Sequence, residues 1–305
     1  MTSQNSPRTD ATNIRYSSCF AAQGTRVFTA LRHSTVLSTA ALVALGAFSA
    51  VPVSPTSPAG APGRALTGQV FDPCVAPALA TMNAWKADRS DIFGGVGVYI
   101  GGSNRGCRQP QLTSAWVSSV NSSGWSIVPI YSGAQAPGGT NGTRISTDIA
   151  TAAKQGQCEG ADAAAHASAL GIGPGSPIYL DMETYDEKDA TVAAAVLSYT
   201  QSWDAAVHAK GYLAGFYSSA DSGITQLSAA AQAGAENLPD ELWTARWVSD
   251  TSTVITSTWD PVLPDTLWSA RNRSRQYLGS HTVVFGGIPL DADTSYWDAP
   301  VAVVG

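Results

Sequence analysis

Within Ile178-Tyr179-Leu180-Asp181-Met182-Glu183 an apolar run ends in two carboxylates one residue apart. In an extended strand, side chains two apart share a face, so Tyr179, Asp181 and Glu183 point one way while Ile178, Leu180 and Met182 pack on the other. Neighbouring negative charge and partial burial both disfavour ionisation, which leaves a carboxylic acid protonated near neutral pH and able to act as a general acid. That is glycosidase-type chemistry. An isolated D-x-E is more often a plain strand terminus, so the surrounding elements decide its meaning.

Those elements alternate. Gln69-Val70-Phe71, Gly95 to Ile100, Ile127 to Tyr131, Pro177 to Asp181 and Tyr212 to Tyr217 read as strands. Between them lie helical stretches: Leu79 to Trp85, the stripe Leu112, Trp116, Val117 and Val120, the Ala-rich Thr147 to Leu170, and the stripe Val192, Val196, Tyr199, Trp203 and Val207. Such alternation implies a parallel sheet with helical crossovers, and its natural closure is a TIM-like (β/α) barrel of the α/β class. Leu242 to Trp247 and Arg275 to Leu278 supply later strands, but helical signals fade after Gly234, so the last strands are expected to be irregular. In such a barrel, chemistry sits where strands end. Asp72 ends the first strand, Asp181 and Glu183 the fourth, and Asp291 and Asp293 close the last, so acids from three strand ends converge on one mouth.

Only 13% of the 305 residues are charged and the formal net charge is -6, which makes nucleic acid an unlikely partner. Arg26 and Arg32 precede the uncharged run Val36 to Ala50, a pattern expected of a secretory signal over residues 1–50. A Pro/Ser/Gly-rich linker over 51–65 and one domain over 66–305 follow, with no membrane span once the signal is cleaved. Of four cysteines, Cys19 would leave with the leader, so an odd count remains. Cys74 and Cys107, each just beyond a strand, are the expected disulfide, with Cys158 left over; three buried thiols are the alternative.

Taken together, Phe71-Asp72-Pro73-Cys74, Val98-Tyr99-Ile100-Gly101-Gly102, Pro129-Ile130-Tyr131, Ile178 to Glu183 and Gly215-Phe216-Tyr217-Ser218 resemble the glycoside-hydrolase-like domain of unknown function found in bacterial cell-envelope proteins. That domain is similar to the family 25 glycoside hydrolases, the lysozyme-like muramidases. The resemblance implies a TIM-like barrel acting on peptidoglycan or another cell-wall glycan. It matches Asp72 to the first-strand aspartate, Asp181 and Glu183 to the fourth-strand D-x-E, Gln276-Tyr277 to a late Gln-Tyr strand and Asp291 to the terminal acid.

Glu183 is then the candidate general acid, with Asp181 and Asp291 stabilising positive charge on the sugar or orienting the attacking group, and Asp72 binding substrate or tuning Glu183. Tyr131, Tyr217 and Trp247 end strands and are candidates to stack on sugar rings, with Gln276 and Asp293 as further substrate-binding residues. His166, His208 and His281 are expected away from the mouth. Asp291-Ala292-Asp293 lacks a full calcium-loop pattern, and no cofactor or metal is expected. The leading function is a secreted, monomeric cell-wall glycan hydrolase. A non-catalytic glycan-binding relative is the alternative, and metal-dependent phosphodiester hydrolysis is disfavoured because strand-end histidines are missing.

Overall fold

A computed structural model describes residues 64–269 and 271–305. The expected leader and all but the last residues of the expected linker lie outside this range. Eight strands close into a barrel in sequence order: β1 (Ala65–Asp72), β2 (Phe93–Gly101), β3 (Ser126–Tyr131), β4 (Pro177–Asp181), β5 (Leu213–Ser219), β6 (Glu241–Ala245), β7 (Arg273–Phe285) and β8 (Ile288–Pro300). The crossovers carry helices α1 (Leu79–Ala87), α2 (Ser114–Ser122), α3 (Ile149–Ala169) and α4 (Ala190–His208), then a π-helical turn (Ala220–Ile224) leading into α5 (Thr225–Gln232). Thr113, Asp148 and Asp189 cap α2, α3 and α4 with side-chain oxygens.

Strands β1 to β7 run parallel, whereas β8 is antiparallel to both β7 and β1. The reversal is made at Gly286-Gly287, where both φ angles are positive (56° and 73°), as a tight two-residue hairpin turn requires. Among the described residues no helix follows β6; the chain over 246–269 is irregular, as the fading helical pattern implied. The β7–β8 hairpin extends past the mouth and lies back on α1. Phe285 meets Trp85 and Phe93 at ring-centroid distances of 5.3 and 5.8 Å, and the Gly286 N–H donates to Asp88.

Period-two alternation divides the core into two layers. Val70, Val128, Ile130, Tyr179, Tyr217, Trp243 and Trp297 fill the barrel, with Tyr179, Trp243 and Trp297 packed edge to face at 5.1 to 5.9 Å. Phe71, Val96, Ile127, Ile178, Leu180 and Phe216 point outward onto the helices. Cys74 and Cys107 are bridged, joining the loops after β1 and β2. Cys158 departs from expectation: no described cysteine is free.

Candidate active site in the barrel mouth

The alternation that buries Val70 and Tyr179 inside the barrel carries Asp72 and Asp181 to its upper end on the same face. Both are nearly sealed, at 4% and 6% exposure. Gly97 makes room for the first, since a Cβ there would stand 2.6 Å from the Asp72 Cβ. Asp293 joins them from β8, directly opposite Asp72 in the antiparallel register. It arrives near the beginning of its strand, because β8 runs down from the mouth. Glu183, two residues beyond Asp181, lies at the lip and is open to solvent.

Gln276 on β7 organises this cluster. Its Oε1 accepts hydrogen bonds from the Tyr217 hydroxyl (2.8 Å) and the Trp247 indole (2.9 Å). An indole N–H can only donate, so the amide orientation is fixed and Nε2 must face the acids. It donates to Asp72 at 3.2 Å and to Asp293 at 3.2 Å. Trp247 rests against Gly279 and leaves 60% of its surface exposed beside the acids.

Every acid in the mouth holds its proton above the ordinary range. Burial pushes Asp72 well up, with Asp293 and Asp181 adding to it and the Gln276 bond opposing. Asp181 is pushed up to about 7 by burial, then by Glu183 and Asp293, against a hydrogen bond with Ser132. Asp293 rises to about 6 through burial and Glu183, while His281 pulls it down. Burial raises Glu183: water reaches its carboxyl, but the surrounding walls still displace much of its solvation. The Tyr99 and Tyr217 phenols are raised too, by burial and by the acids. The cluster as a whole therefore retains protons at pH values where isolated carboxylates are ionised.

Two expected site residues lie elsewhere. Asp291 is exposed on the hairpin arm and accepts from Thr282 at 2.6 Å. It shares the parity of Asp293 but stands two residues farther out, past the barrel rim, and Asp293 occupies the place expected for the terminal acid. Tyr131 has the opposite parity to Ile130, so it points outward, is buried, and donates to Asp162 of α3 at 2.9 Å. His281 stands on the hairpin arm, paired with Ala292 and bonded to the Gly279 carbonyl, and its field lowers Asp293.

A profile of Rv2525c-like, glycoside hydrolase-like domains matches residues 83–297. The chain belongs to this family. The match includes Asp181, Glu183, Gln276 and Asp293 and begins after Asp72. No curated protein matches the chain. Among solved structures, an uncharacterized protein of B. stearothermophilus shares 16% identity and a TM-score of 0.52, over 75% of this chain and 95% of that one. The modular autolysin LytC of Streptococcus pneumoniae (16% identity, TM-score 0.44) matches over 76% of this chain and 46% of its own. The spore cortex lytic enzyme SleM of Clostridium perfringens (13%, TM-score 0.44) matches over 76% and 67%.

In this family member, Gln135 and Ser132 also belong to the site although no sequence motif marked them. Both come from the loop after β3. Ser132 bonds Asp181, and Gln135 bonds the main chain on either side of Met182. A Ser and a Gln in a loop carry no periodicity, and only the register of β3 against β4 brings them here. The one available signal was that a loop following a barrel strand opens onto the mouth.

Proposed function

We propose that this protein hydrolyses a glycan of the bacterial cell wall, peptidoglycan being the first candidate, with Glu183 as the proton donor to the glycosidic oxygen. The carrying observation is the convergence of Asp72, Asp181, Glu183 and Asp293 in one mouth, with Glu183 the most exposed of the four. A general acid must reach the leaving oxygen, which favours Glu183 over the more deeply buried Asp181. Asp181 and Asp293 face the reaction centre and, in the protonation state where Glu183 carries the proton and they are ionised, would stabilise positive charge developing on the sugar. Asp72, held by Gln276, would bind substrate hydroxyls and shape the field around the other acids. The exposed face of Trp247 offers a stacking surface for a sugar ring. Family membership supports the reaction class, and the motif resemblance to lysozyme-like muramidases supports the substrate class. The Cys74–Cys107 disulfide supports action outside the cytoplasm, because such bonds persist in oxidising compartments. The test is to incubate the purified domain with muropeptides, chitin oligomers and wall glycans and to look for new reducing ends by mass spectrometry. Turnover abolished in Glu183→Gln supports the assignment. Binding without turnover on every substrate would make the protein a glycan-binding pseudo-enzyme instead.

A further inference from the structure

Strand β4 ends at Asp181, yet Glu183 must still project to the same side as Asp181 for the two carboxylates to act together. On the β5 side the sheet helps, because the Met182 N–H donates to the Tyr217 carbonyl at 3.0 Å. On the β3 side the ladder has already stopped: β3 pairs with β4 only at Ile130↔Tyr179 and Tyr131↔Leu180. Beyond that point the Gln135 side chain occupies the place of a strand. Its Nε2 donates to the Asp181 carbonyl at 2.8 Å, and its Oε1 accepts from the Glu183 N–H at 2.8 Å.

This is the pattern a residue makes across a parallel ladder, where one N–H and one C=O bracket the partner by bonding the carbonyl before it and the amide after it. Here the bracketed residue is Met182, whose side chain packs outward in the core and so turns Asp181 and Glu183 inward. The base of the bracket is rigid as well. Gln135 is 7% exposed, its N–H donates to the Thr143 carbonyl at 3.0 Å, and its carbonyl accepts from Ile145 at 2.8 Å.

We propose that Gln135 is a positioning residue that extends the parallel ladder by one side-chain amide and thereby fixes the direction and spacing of the Asp181–Glu183 pair. The proposal rests on the functional reading above, in which Glu183 is the proton donor. Without the bracket the peptide after Asp181 loses its partner on the β3 side, and Glu183 is free to swing outward into water. Misplacement of a catalytic group by about 1 Å can cost on the order of 100-fold in rate.

The test compares wild type with Gln135→Met, which keeps the volume but neither donates nor accepts as the amide does, and with Gln135→Glu, which keeps an acceptor for the Glu183 N–H but loses the donor when ionised. Three readouts are needed: thermal unfolding, kcat and KM across pH, and a ¹³C titration of the Glu183 carboxyl by NMR. In Gln135→Met, kcat falls about 10- to 100-fold with KM nearly unchanged, the expected signature of misplaced chemistry. The Glu183 titration midpoint moves down toward an ordinary glutamate as the carboxyl gains water, and Gln135→Glu is intermediate in rate. A Gln135→Met protein with wild-type kcat and an unmoved Glu183 titration would overturn the proposal, whatever its melting temperature. Failure of the functional reading looks different: the wild type then yields no product, or Glu183→Gln leaves turnover intact. In that case the Glu183 titration alone still decides whether Gln135 positions it.

Discussion

Glu183 and Asp181 behave as a coupled pair, so their substitutions have separable signatures. Glu183→Gln keeps shape and hydrogen bonding but removes the proton, and glycan turnover is expected to fall by about 10²–10⁴-fold with binding retained. Asp181→Asn acts differently. In the wild type each carboxyl disfavours ionisation of the other, and Asp181 is raised to about 7 with Glu183 among the causes. With a neutral neighbour, the remaining proton belongs to Glu183 alone and leaves at lower pH, so the basic limb of the pH–rate profile moves down. A basic limb that stays in place in Asp181→Asn, measured as kcat against pH, would remove Asp181 from the proton inventory. Strand-end logic and the motif resemblance made Asp72 legible in the sequence, and two-residue alternation put Asp181 and Glu183 on one face, although Glu183 lies beyond β4 and is also held by a loop side chain that no periodicity marks. The same rule was available for Tyr131, whose neighbour Ile130 claims the inner face. Asp291 was misplaced for another reason: parity distinguishes faces, and it says nothing about how far along the strand the barrel ends.

The β7–β8 hairpin is the element that makes the site mixed rather than purely parallel. By reversing the chain it presents the early residues of β8 to the mouth, which puts Asp293 opposite Asp72. Without pairing information the sequence places Asp291 and Asp293 at the close of the last strand, whereas in the structure the chain turns at Gly286-Gly287 and both lie in the first half of β8. Order of elements is written locally in apolar periodicity, whereas direction of the final strand depends on a turn and on a partner far away in sequence. The hairpin is anchored at its tip. A Cβ on Gly286 would stand 2.7 Å from the Ala84 carbonyl, at a φ of 56° that branched side chains avoid. Gly286→Val is therefore expected to destabilise the protein by about 1–3 kcal/mol, read as a lower urea midpoint, and to lower glycan turnover through Asp293. Unchanged stability in that variant would mean the tip does not hold the arm. The Cys74–Cys107 bridge ties the loops on the other side of β1, and the double Cys→Ser variant is expected to lose about 2–4 kcal/mol in the same assay.

At the scale of the whole molecule the protein carries buried acids far from the mouth that the proposed chemistry does not involve. Glu241, at the start of β6, is sealed in the barrel floor and accepts from the Tyr179 hydroxyl at 3.0 Å. Asp204 on α4 is fully buried, and neither of its oxygens has a hydrogen-bond partner among the described residues. Burial pushes the Asp204 carboxyl well above the usual carboxylate range, and Asp240 adds to it. The sign of the linkage follows. A carboxyl whose folded pKa is raised contributes its full stability below the unfolded value, near 4, and loses it as pH rises through the folded value, since the unfolded chain ionises first. Asp204→Asn keeps the shape and removes the titration, so all other groups cancel in the comparison. The variant should gain on the wild type as pH rises, by about 1.4 kcal/mol for each pH unit between the two pKa values. Urea unfolding of both proteins at pH 5 and pH 8 reads this directly, provided each unfolds in a single transition. Stability differences that are equal at the two pH values would show that Asp204 is ionised in the folded protein, held by a partner that satisfies its charge.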